Sequence, residues 1–316
     1  MKNLKIRIGT IGLMFAMVLF LASCSEDDDN NVEPQVQPTE KSIVEIATSD
    51  DNFSILVEAL VKADLVTTLN GDGPFTVFAP TNAAFEMLFE TLNVNGIEDL
   101  SAEALTPILL YHVMSGKAMS SDISTGYYET LSAATPDNKG IVLYAMVSSG
   151  VMINNSINVA TADIGASNGV VHVVDKVILP PTVVDIAIAN SNFSTLVAAV
   201  VKAGLVEALS AEGPYTVFAP TNAAFDAAFT ALGISGLDDL TPEALTPILL
   251  YHVVPDNVLA SEVSTGMVPT LNTESNISIT VSDQGVMLDG NAKVIATDVQ
   301  GSNGVIHAID GVILPN

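Results

Sequence analysis

The ten residues TVFAPTNAAF stand at 76–85 and return, letter for letter, at 216–225. ALTPILLYHV is likewise identical at 104–113 and 244–253. ASNGVVHVVDKVILP (166–180) comes back as GSNGVIHAIDGVILP (301–315), with ten of fifteen positions unchanged. The copies run 140 residues apart early and 135 apart late, so the second has lost five residues in between, where loops tolerate loss. Two copies are too few for a solenoid, which needs three or more stacked units to bury its faces. The chain is therefore expected to hold two globular domains in tandem, at 42–180 and 182–316, and its 316 residues suffice for a core in each. Pro180-Pro181 marks the join and restricts the angle there.

Each half shows the same order of local signals. Asn52-Phe53 and Asn192-Phe193 open helices whose apolar residues recur at three and four, as in Ile55, Leu56, Ala59, Leu60 and Ala63. A Gly-Pro turn precedes a short strand, FTVFA or YTVFA. Within it Val77 and Ala79 face one side, Thr76 and Phe78 the other. Thr81-Asn82 and Thr221-Asn222 supply cap chemistry for the next helix, with Asn82 offering the cap in the first copy. Thr106-Pro107 and Thr246-Pro247 read as a second cap followed by proline at the first helical position. From about 111, and again from about 251, short β-branched runs are split by Gly, Asn and Asp, which reads as strands and turns. The fold class is α+β, helix-rich first and strand-rich later.

The N-terminal segment carries a different message. MKNLKIR is positive, and IGTIGLMFAMVLF is apolar but short for a membrane span. Leu21-Ala22-Ser23-Cys24 then places small residues before the chain's one cysteine. The pattern resembles a bacterial lipoprotein signal, with residues 1–23 removed and Cys24 lipidated. Residues 24–41, beginning CSEDDDNN, are acidic and nearly devoid of apolar side chains, and are expected to form a disordered tether reaching at most about 55 Å. An acidic cluster after a lipidated cysteine resembles the surface-export signal of some Gram-negative lipoproteins. The expected location is the outer membrane, lipid-anchored and facing the exterior, with the membrane met through that anchor. The chain has 36 acidic and 10 basic residues, and beyond Arg7 no arginine at all. A body so charged has no bidentate guanidinium for phosphates, which argues against nucleic acid.

Each half also resembles a fasciclin domain. TVFAPTNAAF is similar to that family's first signature block, ILLYHV to its Tyr-His motif, and SNGVVHVVDKVILP or SNGVIHAIDGVILP to its second block. The resemblance implies a wedge of β-strands flanked by helices, found outside cells and associated with adhesion or matrix contacts. It implies neither catalysis nor a cofactor. It also carries a possible partner-contact role for the pairs Tyr111-His112 and Tyr251-His252, beside the alternative that each pair packs at a helix end and bonds inward.

The remaining chemistry is sparse. Ser167, His172 and Asp175, with Ser302, His307 and Asp310, invite a hydrolase or metal-site reading. Yet His172 and Asp175 are three apart, and an odd spacing in a strand puts them on opposite faces. No spacing typical of zinc proteases, serine hydrolases, nucleotide loops or calcium loops occurs, so neither a catalytic residue nor a metal ligand is assigned. Tyr127, Tyr128 and Tyr144 belong to the first copy alone; they suit a sugar- or protein-binding face, or equally a core. The expected function is a non-enzymatic surface lipoprotein that contacts a surface protein, matrix protein or polysaccharide. A periplasm-facing envelope scaffold is the alternative.

Overall fold

The computed structural model describes residues 40–135 and 137–315; the predicted signal peptide, Cys24 and the tether up to residue 39 lie outside the described residues. Among the described residues no single helix is long and apolar enough to cross a membrane.

The first repeat begins with helices α1 (Ile43–Thr48), α2 (Ser54–Lys62) and α3 (Val66–Leu69), followed by strand β1 (Phe75–Pro80), α4 (Asn82–Leu92) and α5 (Ala102–Tyr111). Strands β2 (Val113–Ser115), β3 (Gly126–Glu129), β4 (Val142–Val147), β5 (Val151–Ile153), β6 (Ile157–Ala166) and β7 (Gly169–Val174) complete it. The second repeat copies this order through α6 (Val183–Ala189), α7 (Ser194–Lys202), α8 (Val206–Ser210), β8 (Tyr215–Pro220), α9 (Asn222–Leu232) and α10 (Pro242–Tyr251). Its strands are β9 (Val253–Val254), β10 (Gly266–Pro269), β11 (Asn276–Ser282), β12 (Gly285–Leu288), β13 (Ala292–Gln300) and β14 (Gly304–Ile309).

Each repeat folds one seven-stranded sheet, ordered β2-β1-β7-β6-β5-β4-β3 and correspondingly β9-β8-β14-β13-β12-β11-β10. The pairs β1–β7 and β8–β14 are parallel; the others are antiparallel. β1 brings together residues distant in sequence, and both of its faces are buried. Val77 and Ala79 point into a helix-lined core with Leu56, Phe85 and Leu109, while Phe78 enters a second core with Tyr111, Leu143 and Ile178. The alternation read from TVFA is thus the partition between two cores.

The polar letters of the block have equally definite partners. Thr76 Oγ1 donates to Gly116 O (2.7 Å) and accepts from Ala118 N (2.9 Å), fixing the loop after β2. Thr81 caps α4, its hydroxyl accepting from Ala84 N. Asn82 does not cap its own helix. Its Oδ1 accepts from Ile55 N and its Nδ2 donates to Asp51 O, so it closes the start of α2 instead. Asn222 does the same for α7. Residues 51–53 form a 3-10 turn capped by Asp50, and the α-helix proper begins at Ser54.

Thr106-Pro107 and Thr246-Pro247 do not start helices. Ser101 and Thr241 are the caps, and both prolines lie inside α5 and α10. Thr106 instead bonds one turn back to Ala102 O (2.8 Å), and Thr246 to Pro242 O. A Thr-Pro pair alone does not separate a cap from this back-bonded geometry. The length difference also divides more finely than the offsets suggest. Glu129 pairs with Val142, but Pro269 with Asn276, so the second repeat is six residues shorter between those strands. Val147 pairs with Val151, but Val281 with Val286, so its next turn is one residue longer.

The longer first-repeat loop has a use. Lys139, within it, donates through Nζ to Asn257 O and to Glu262 Oε2 (2.7 Å) in the second repeat. Tyr127 and Val142 pack against the second repeat's helical core, Asn190 Nδ2 donates to Tyr127 Oη (3.0 Å), and Asn155 Nδ2 donates to Ala189 O. Pro181 O accepts both the amide and the hydroxyl of Ser302.

Candidate functional site

The two Tyr-His pairs sit at the ends of α5 and α10, where the chain turns into β2 and β9. Tyr111 and Tyr251 are 0% exposed, His112 and His252 2%. Tyr111 Oη donates to Val142 O (3.0 Å) and accepts from Asn154 Nδ2. Tyr251 Oη reaches Asn276 O (3.1 Å) and Asp289 Oδ2 (2.9 Å). Burial pushes the Tyr111 hydroxyl pKa far up, and burial beside Asp289 pushes Tyr251 up to about 12, so both stay protonated donors.

Each histidine spans two segments. His112 Nδ1–H donates to Ile108 O (2.7 Å), and its Nε2 lone pair accepts from Ile178 N (2.9 Å). His252 repeats this with Ile248 O and Ile313 N. The ring thus ties the end of a helix to the VILP segment that closes each repeat. Burial lowers both pKa values to about 4, and the acceptor bond itself requires the neutral ring. These four side chains touch no solvent-facing surface, and a partner would meet their backbone neighbourhood rather than the rings.

His172 and His307 take the opposite tautomer. Nε2–H of His172 donates to Ala118 O (2.9 Å), and Nδ1 accepts from Asp163 N; His307 uses Val258 O and Asp298 N. The rings pack against Phe78 and Phe218. Asp175 turns away, its carboxylate accepting from Asn158 N and Nδ2, so the Ser167-His172-Asp175 set is not assembled. Asp163 Oδ1 does come within 4.0 Å of His172 Nδ1, but that lone pair is already aimed at an amide. Asp163 and Asp298 stand at φ +66° and +62° in irregular stretches of β6 and β13. Hydrogen bonds from Ser120 hold the Asp163 carboxyl below its usual range. Their matched positions, 135 apart, were the available sequence signal. In all four histidines one ring nitrogen donates to a backbone carbonyl and the other accepts from a backbone amide. Among the described residues no group of three or more His, Cys, Asp or Glu side chains could hold a metal.

The first-copy tyrosines separate. Tyr128 points into its own repeat, where its hydroxyl bonds to both Ser124 N and Ser124 O. Tyr127 and Tyr144 are cross-strand partners with ring centroids 5.0 Å apart, and both face the second repeat. They line a cleft of about 580 Å³ between the repeats, whose other walls come from the Asn154–Ile157 turn, Lys176, Leu179 to Pro181 and α6.

The fasciclin domain family model matches residues 51–180 and 191–315, and the chain belongs to that family. Protein sll1483 of Synechocystis sp. is 53% identical over 137 residues, covering 42% of this chain and 73% of its own length. The transforming growth factor-beta-induced protein ig-h3 of Sus scrofa is 33% identical over 254 residues, covering 78% of this chain but 36% of its own, so the chain spans about a third of that relative. A FAS1 domain pair from the insect cell adhesion molecule fasciclin I aligns with a TM-score of 0.50 at 18% identity, over 81% of this chain and 95% of that one, a likeness of fold. Fasciclin domains are found in cell adhesion and extracellular matrix proteins.

Proposed function

We propose that this chain is a non-enzymatic, lipid-anchored adhesion module displayed on the outside of a bacterial outer membrane, with two fasciclin domains as its contact body. The observation that carries the non-enzymatic part is the engagement of all eight histidine ring nitrogens with backbone groups, which leaves neither repeat a free imidazole. Family membership supports adhesion. The lipoprotein-like start, Cys24 and the acidic run behind it support anchoring and display. The ligand is a component of the surroundings, a surface or matrix protein or a polysaccharide, and the acidic body disfavours anionic polymers.

Protease shaving of intact cells tests this, with wild type beside Cys24→Ala. Display predicts that the wild-type body is cleaved on whole cells and that the variant is released or mislocalised. A body that survives until the outer membrane is opened faces the periplasm, and the adhesion reading then falls to an envelope scaffold.

A further inference from the structure

The cleft between the repeats has chemistry of its own. It arises only where the first repeat's β4–β5 side meets α6. The matching face of the second repeat replaces Tyr127 and Tyr144 with Met267 and Ser278. Its volume of about 580 Å³ falls within the roughly 300–1,000 Å³ typical of small-ligand clefts.

The lining mixes one aromatic platform with scattered polar ends. Tyr144 is half-buried, and among the described residues its hydroxyl has no hydrogen-bond partner in the protein. Ser156 is exposed beside it, and Lys176 Nζ spends one donor on Ser156 O (3.1 Å), leaving others for a ligand. Asp185 uses one carboxylate oxygen, Oδ2, in the cap of α6, and among the described residues its Oδ1 has no hydrogen-bond partner in the protein. Leu179 and Ile188, 43% and 59% exposed, give the rim apolar edges. The cleft is also held open at a fixed width by the Lys139–Glu262, Asn190–Tyr127 and Asn155–Ala189 bonds.

We infer that this cleft binds a short stretch of neutral saccharide, and the inference rests on the adhesion reading above by naming its ligand class. A sugar ring offers an apolar face for Tyr144 and hydroxyls for Ser156, Lys176 and Asp185. One cation and one anion in the lining balance, which matches an uncharged ligand. No guanidinium is present for a carboxylated or sulfated sugar, and the chain's net charge of −26 repels one.

The test is binding of the full chain to an array of neutral and anionic oligosaccharides and of unstructured peptides, followed by calorimetric titration of the best neutral probe. Wild type is compared with Tyr144→Ser, which copies the second repeat, with Lys176→Ala, and with Tyr128→Phe as a control outside the cleft. The expected result is binding confined to neutral probes, weakened at least about tenfold by Tyr144→Ser and several-fold by Lys176→Ala, and unaffected by Tyr128→Phe, at unchanged melting temperature. Absence of any neutral binder, equal binding of anionic probes or peptides, or binding indifferent to both cleft variants would overturn it. Cell shaving is independent of this outcome. A shaved protein that binds no sugar loses the cleft assignment alone, whereas an unshaved one loses the adhesion reading whatever the array reports.

Discussion

Three segments of the second repeat meet on one side-chain amide. Asn303 Oδ1 accepts from Val183 N (2.9 Å), and its Nδ2 donates to Leu209 O and Ala211 O. Asn303→Ala strips one amide and two carbonyls of their partner at a 6% exposed site, and should cost about 3 kcal/mol by urea denaturation. Asn168→Ala removes the same three bonds from a less deeply buried site, where water replaces part of the loss, and should cost less. Equal costs at the two sites would contradict this account of burial. The histidines supply a pH prediction. His112 and His252 have folded pKa values of about 4 against about 6.5 unfolded, so the unfolded chain takes up protons first as the pH falls. Their contribution is complete above about pH 6.5 and is lost towards about pH 4, with a slope near 1.4 kcal/mol per pH unit for each ring. Unfolding free energies should therefore drop between about pH 6.5 and 5, where most carboxylates are still ionised. A flat profile across that window would mean the rings are not held neutral. The paired blocks singled out all four histidines from the letters alone, but not Asn168 or Asn303, which stand in the same blocks. Their partners lie as far as 125 residues away, and no local pattern encodes such a distance.

Among the elements, capping and alternation were legible because they are local. The Thr-Asn pairs do mark helix starts, although the threonine and not Asn82 is the cap, and TVFA splits its side chains between two cores as period two requires. The Thr-Pro expectation failed because the true caps, Ser101 and Thr241, lie five residues upstream and a proline can be carried inside a helix whose packing holds it. The parallel pairing of β1 with β7 was not legible at all, since it joins strands nearly a hundred residues apart. It rests on a close approach that only glycine permits. A Cβ on Gly169 would lie 2.1 Å from Phe75 O, and one on Gly304 2.2 Å from Tyr215 O. Neither oxygen can yield without moving the strand itself. Gly169→Ala should thus destabilise the first repeat by several kcal/mol or prevent its folding, read as loss of the cooperative thermal transition. Gly150→Ala, where a Cβ meets nothing within 4 Å, should change stability by less than about 0.5 kcal/mol. A tolerated Gly169→Ala would refute the close packing of β1 on β7.

For the whole molecule, the duplication hides as much as it reveals. Two matched repeats suggest two matched sites, yet the first differs from the second at several residues that touch it. Six additional loop residues bring Lys139 to Asn257 and Glu262, and Tyr127 replaces the exposed methionine found at position 267. The reciprocal changes on α6 put Asn190 under Tyr127, where the first repeat carries Asp50 in the same place. The packing of Tyr127 and Val142 on the second repeat's core implies that the repeats unfold together, because neither can open without exposing them. Lys139→Ala alone should matter little, since Glu262 is solvent-exposed and such pairs contribute roughly 1 kcal/mol or less. Tyr127→Ala also removes packing against the second repeat's core, a truncation that costs about 3 kcal/mol at well-buried sites and somewhat less here. The double variant Tyr127→Ala/Lys139→Ala should therefore turn one calorimetric transition into two resolved ones, with an increased radius of gyration in solution scattering. If the double variant keeps a single sharp transition at the wild-type radius, the junction is not what couples the repeats, and the cleft beside it has no fixed width on which a ligand could rely.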